Sequence, residues 1–312
     1  MAFKVNTNSQ SGGDNSTPDV DYKALDKYVV KTCRLLNPET LTGYVSGIVD
    51  LGVQKQEDAA VPFDGTKEEE EAIKAEKPDT YFGTVRQWNA QQRKMTDTYC
   101  KRWPSKPLQC VAIAVDFPEI KLNKGQFFGD EEAKELPLRI WLGGKFWNKY
   151  AGEKGLMMMG QMQSLRWTKE NDKWTLNPKN ILRRLQVESG MISPDAPFDA
   201  NRMSEIIGKN FLWKVRIFIN DKGYYTEKCS LGGPLGRGQK ELPVESETLD
   251  VGFEDFVLDD MVRKMIPSHV KNQMRMAENY TTSPISAVLD GHQKNANDTP
   301  AASEDIEEDV PF

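Results

Sequence analysis

Histidine is almost missing from this chain: 312 residues carry two, His269 and His292. One falls in a late charged helical stretch and the other in a polar tail, so neither suggests a buried general base. No phosphate-binding GxxxxGK[ST], no GxSxG, no HExxH and no dinucleotide fingerprint occurs. Cysteine is sparse too. Cys33, Cys100, Cys110 and Cys229 form no CxxC pair, so reduced, partly buried thiols are expected, with no metal and no cofactor. Zinc between Cys100 and Cys110 is the minority alternative. Carboxylates are plentiful, but most gather in residues 56–80 and in the tail, away from the basic segments where Mg²⁺ chemistry on nucleic acid would need them. Asp116, near the end of a central strand, is the one acid worth naming, and an isolated Asp there reads as structural. The chain is therefore expected not to be an enzyme. Long apolar runs are also lacking, and Met1-Ala2-Phe3-Lys4 does not open a signal peptide, which points to a cytoplasmic protein.

The formal net charge is −6. Residues 289–312 alone hold seven acids (Asp290, Asp298, Glu304, Asp305, Glu307, Glu308, Asp309) and one base, Lys294. Removing these from 47 acids and 41 bases leaves 40 of each in residues 1–288. The body is neutral, and the acidity belongs to one segment.

Residues 1–20, rich in Ser, Asn and Gly, read as a disordered arm. Tyr22, Leu25, Tyr28, Val29 and Thr32 recur at helical spacing over 21–35. From Leu41 to Gln54 the pattern has period two, with Leu41, Gly43, Val45, Gly47, Val49, Leu51 and Val53 on one face and Ile48 as the exception. A long strand with glycines that allow bending is what a small barrel uses to serve both its sheets. Residues 56–80 form an acidic insertion. Leu108–Phe117 is apolar on both faces and reads as a central strand. Leu138–Leu142 is a short strand, 145–158 a helix, 164–176 a hairpin, 178–189 and 200–208 helices, and 211–230 a second hairpin turning at Asn220-Asp221-Lys222-Gly223. A charged helix over 253–278 breaks at Pro267, and order is expected to be lost from about 281. The expected class is mainly β with inserted α. Its domains are an arm (1–20), a body (21–280) and a disordered acidic tail (281–312).

Three segments combine cations with aromatic rings, the two things a single-stranded nucleic acid needs from a protein. Residues 86–106 supply Arg86, Trp88, Arg93, Lys94, Tyr99, Lys101, Arg102, Trp103 and Lys106 against one acid, Asp97, in a loop or edge entering the central strand. Residues 139–184 hold ten bases and three acids, with Lys145, Lys149, Arg166, Trp167 and Trp174 as candidates. The hairpin 211–230 places Lys214, Arg216 and Phe218 opposite Trp213, Val215 and Ile217, and Tyr224 and Lys228 extend that face. For each segment the competing reading is an ordinary charged surface whose rings serve the core.

The tail ends in Glu304, Asp305, Glu307, Glu308 and Asp309 followed by Val310, Pro311 and Phe312. Repelling acids keep such a segment extended, and a terminal ring beside a free carboxylate suits an apolar pocket rimmed by Arg or Lys. Asp305-Ile306-Glu307-Glu308-Asp309-Val310-Pro311-Phe312 resembles the tail of bacterial-type single-stranded DNA-binding proteins. The layout resembles the proteins of that class in tailed phages, as do Gly143-Gly144-Lys145-Phe146-Trp147-Asn148-Lys149 and Asn210-Phe211-Leu212-Trp213-Lys214-Val215. The resemblance implies an OB-fold five-stranded barrel elaborated by helices and loops. It also implies sequence-independent coating of single-stranded DNA in a bacterial cell or infected host, and recruitment of replication, recombination or repair proteins through the tip. The zinc knuckle of some members has no match here. Two other functions fit the same residues: a strand-annealing recombination protein, possible as a homo-oligomer, and an OB-fold adaptor that binds no nucleic acid.

Overall fold

The computed structural model describes residues 21–56, 58–89, 92–129, 133–142, 162–170, 172–221, 223–255 and 258–290, with only the backbone given for Gln87, Trp88, Asp260 and Met261. The arm 1–20, the expected helix 145–158 and the tail from 291 lie outside these residues. The fold is mainly β, with helices placed between and after the strands.

The chain enters through helix α1 (Tyr22–Cys33), capped by Asp21, whose carboxylate accepts from Ala24 N–H at 3.0 Å. Leu25, Tyr28, Val29 and Cys33 form its inward stripe, while Tyr22 and Thr32 face solvent. Strand β1 (Glu39–Gln54) follows and is the spine of the molecule. A four-residue β2 (Ala59–Pro62), helix α2 (Lys67–Glu76), β3 (Tyr81–Asn89) and β4 (Lys94–Trp103) come next. The chain then returns as β5 (Leu108–Leu122) and β6 (Leu136–Trp141). Short strands β7 (Gln163–Ser164), β8 (Trp167–Glu170) and β9 (Lys173–Leu176) precede α3 (Ile181–Glu188). The hairpin β10 (Asn210–Ile219) and β11 (Tyr225–Pro234), a three-residue β12 (Leu249–Val251), and helices α4 (Asp260–Met265), α5 (Ser268–Arg275) and α6 (Pro284–Leu289) complete the chain.

The main sheet runs β11-β10-β1-β5-β6, with β12 parallel to β1 and β7 on β5. Among the described residues no ladder joins β6 to β11, so the path stays open and a closed barrel is not formed. A second sheet, β2-β4-β3, is inserted between β1 and β5, and β8-β9 form a separate ribbon.

Two hydrophobic cores lie on opposite faces of β1 and β5. The larger joins Val45, Ile48, Val111, Ile113, Val115 and Phe117 to α1, α3, β6 and β10. The smaller joins Val49, Leu51, Ala112 and Ala114 to β12 and helices α4 to α6. This explains why β5 is apolar on both sides. It also explains Ile48, the exception in the alternation of β1. The register with β5 slips between Val45 and Gly47, so Ser46 is an extra residue that reverses the parity of the stretch from Gly47 to Asp50, and a second slip follows between Asp50 and Val53. Ile48 thereby joins Val45 on one core, and Val49 and Leu51 turn to the other. Gly47 leaves room for the neighbour this creates, since a Cβ there would stand 2.8 Å from the Leu249 Cβ on β12. Trp213, fully buried, satisfies its indole N–H on the Gly43 carbonyl at 3.1 Å.

Four expectations are corrected. Residues 86–89 and 94–103 are not a loop or edge entering the central strand but belong to β3 and β4 of a separate sheet, because Lys94 to Trp103 pair along their length with Asn89 to Tyr81 and with β2. The stretch expected as a helix at 200–208 is a 3₁₀ helix over Ala200–Ile206. Order does not end at 281: Pro284 starts α6, which buries Ile285, Val288 and Leu289 in the smaller core, and Arg275 pairs with Asp290 at 2.9 Å. The barrel, finally, is not closed among the described residues.

Candidate nucleic-acid interface

In the side sheet, strand alternation divides the 86–106 candidates between two faces. Arg86, Tyr99, Lys101 and Trp103 share one, and Lys94 and Arg102 the other. Arg93 sits in the turn with φ 49°, and Lys106 is exposed in the connection to β5. Tyr99 is already engaged. Its ring packs with Phe63 and Phe82, and its hydroxyl donates to Glu70 of α2 at 2.8 Å, which raises the phenol's pKa. Arg102 lies 4.9 Å over the Tyr81 ring and 3.9 Å from Asp58. Lys101 and Trp103 stay available: the ammonium lies 5.7 Å from the centre of an indole that is 36% exposed. The backbone of Trp88 pairs with Met95.

In the β8-β9 ribbon, Trp167 is 41% exposed and packs obliquely on Phe198, ring centres 5.9 Å apart. Trp174 is 65% exposed, faces Lys169 across the ribbon, and has no ring or cation partner among the described residues. Arg166 is exposed beside them. The ribbon is anchored at the start of β5: Ser164 pairs with Cys110, and Leu165 N–H donates to the Gln109 carbonyl at 2.8 Å. Trp103 precedes Leu108 by one short connection, 104–107. Two patches that are separate in sequence are therefore both attached at one end of β5.

The third patch stands elsewhere. Lys214 pairs with Thr40, near the start of β1, whereas the side sheet leaves from the end of that strand. As expected, Lys214, Arg216 and Phe218 point away from the core that takes Trp213, Val215 and Ile217. Arg216 lies across Phe218 with its guanidinium carbon 4.0 Å from the ring centre, and its Nε donates to the Leu36 carbonyl at 2.8 Å. Lys228, opposite Arg216 on β11, is 5.8 Å from the same ring. Register adds neighbours that sequence patterning had not picked out: Thr226 and Ser230 from β11, Thr40 and Thr42 from β1. Tyr224 is exposed at the turn, where Asn220 closes the loop by accepting the Tyr224 N–H at 3.0 Å.

Further along that face, Asp116 is 1% exposed and fully committed. It holds Arg139 in a two-point pair (2.7 and 2.9 Å), accepts from Ser46 at 2.7 Å and hydrogen-bonds Ser246. Arg139 also donates to the Glu247 carbonyl, and Tyr44 bonds the backbone at 245–246. These contacts tie the segment before β12 onto β1 and β5, a structural role for Asp116. Among the described residues no group of acids, cysteines or histidines is placed to hold a metal ion. No described helix is long and apolar enough to cross a membrane. Lys145, Lys149 and the tip Glu304, Asp305, Glu307, Glu308, Asp309, Val310, Pro311 and Phe312 lie outside the described residues. Comparison with protein-family models, curated proteins and solved structures finds no match.

Proposed function

We propose that this protein binds single-stranded DNA without sequence preference, on an OB-type scaffold, and recruits replication, recombination or repair proteins through its acidic Phe-containing tip. The observation that carries the reading is that the segments bearing Lys101, Trp103 and Lys106 and bearing Arg166, Trp167 and Trp174 are both attached at the start of β5. Exposed indoles beside cations offer flat faces for unstacked bases and charge for phosphates. A duplex, whose bases are already stacked, gains little from them.

The strand order supports the scaffold. Numbered among themselves in chain order, the five long strands of the main path run 5-4-1-2-3, with α3 between the third and fourth. An OB barrel opened between its third and fifth strands has this order. In that frame the side sheet is the connection between the first two strands, and residues 220–224 are the connection between the last two. Those are the loops with which OB folds grip oligonucleotides.

Titrating intrinsic tryptophan fluorescence with a mixed-sequence single strand, and with duplex at the same low salt, tests this reading. Strong quenching by the single strand and little by duplex is the expected result. Absence of quenching, together with no retarded complex at low salt, removes the nucleic-acid function.

A further inference from the structure

The open face of β10 and β11 brings cations and hydroxyls together. Three cations, Lys214, Arg216 and Lys228, occupy adjacent positions of two paired strands, and none has an acid partner among the described residues. Some cations elsewhere are answered by acids, as Arg183 is by Glu170, Lys169 by Asp172 and Lys121 by Glu245. The strand positions beside the three carry four hydroxyls and no carboxylate, because Glu227 falls on the opposite parity of β11. Like charges held this close raise one another's energy unless an anion joins them.

The ring on this face is already covered on one side by a cation. Arg216 covers one side of Phe218 at 4.0 Å, and the Leu36 carbonyl fixes the guanidinium there. Phe218 is thus a platform that holds a cation in place. We infer that the β10-β11 face is a site for a linear chain of phosphate groups, read by charge and hydroxyl donors with no contribution from bases, and distinct from the indole-bearing end of β5. The ligand's source, a DNA backbone, rests on the proposed function; the chemistry of the face does not. Phosphate contacts and base contacts would then be divided between two ends of the scaffold.

The test uses the full chain and two base-free probes, long-chain inorganic polyphosphate and an abasic phosphodiester oligomer, beside an ordinary single strand. Arg216 is left in place because it supports the Leu36 carbonyl; the variants are Lys214→Gln/Lys228→Gln and the charge reversal Lys214→Glu/Lys228→Glu. Wild type is expected to bind both base-free probes. The neutral variant should lower the log–log salt slope by about 1.4, at about 0.7 for each single-strand phosphate contact. The reversed variant should lose at least tenfold in affinity for both probes, with an unchanged melting temperature and unchanged tryptophan quenching at saturation with the ordinary strand. Wild type that ignores base-free probes, or variants that bind them as wild type does, would overturn the inference even where the ordinary strand binds well. Binding of polyphosphate that is lost in the reversed variant, with no binding of the ordinary strand, would uphold the site and remove the proposed function instead.

Discussion

Trp174 and Asp116 are opposite cases of a side chain's exposure deciding its role. Trp174 is 65% exposed, so replacing it by Ala leaves the fold within about 0.5 kcal/mol of wild type. The same change is expected to weaken single-strand binding by about 1–3 kcal/mol, the worth of one stacked base, and to lower the quenching amplitude. A titration giving wild-type affinity would take Trp174 out of the interface. Asp116 is buried and bonded to Arg139, Ser46 and Ser246. Asp116→Ala strands the guanidinium and is expected to cost about 3–5 kcal/mol, read as a lower urea midpoint. Arg139→Met in the same background should restore part of that loss, because the unpaired charge is then gone. Neither role follows from residue type. Trp141 and Trp213 resemble Trp174 in kind, yet both are buried.

Strands were legible where one face met a core and the other met water. The alternation of β10 from Phe211 to Ile219 was read correctly for that reason, as was the turn at Asn220. In β1 the strand itself was legible but its sidedness was not. A bulge at Ser46 leaves no mark in composition, and it sends Val45 and Val49 to different cores. Gly47 sits just after that bulge, against Leu249. Gly47→Val is expected to push β12 off β1, seen as faster amide exchange at Leu249–Val251, with the β1–β10 ladder still protected. Uniform protection across both ladders would refute this. The side sheet was missed as a sheet because its residues are charged on both faces. Cys100 is the one fully buried residue of Lys94–Trp103, too little to set a period of two, so the segment reads as a loop or edge until β3 and β2 pair with it.

For the whole molecule, burial of thiols couples stability to alkaline pH. Burial pushes the Cys33 thiol up to about 11, with Lys124 lowering it and Glu227 raising it by smaller amounts. Burial also pushes the Cys110 thiol up to about 11. The folded chain therefore keeps protons that the unfolded chain releases near pH 9, so this stability is intact below about pH 9 and is lost as pH rises toward 11. The melting temperature should fall over that interval, and less steeply in Cys33→Ala/Cys110→Ala. Equal slopes would assign the loss to other groups. At the level of charge, a chain shortened to end at Asp290 keeps α6 and its pair with Arg275 while removing six acids and one base from the neutral body's neighbourhood. Under the proposed function it is expected to bind single strands more tightly at low salt and to lose recruitment of its partners. Unchanged affinity would show that the tail does not compete for the basic surface.

The sequence by itself determined the mainly β class, most of the elements, the break at Pro267 and the concentration of charge in the last residues. Each of these depends on local preference or on patterns within a single element. Only the tertiary structure decided that the ribbon carrying Trp167 and Trp174 is attached at the same end of β5 that Trp103 leads into, and that the β10-β11 face is free of carboxylates. It alone decided that Tyr99 is spent on α2 and that Asp116 is a buried tie. Those facts depend on register and on contacts between residues far apart in the chain, and a one-residue bulge is enough to rearrange them.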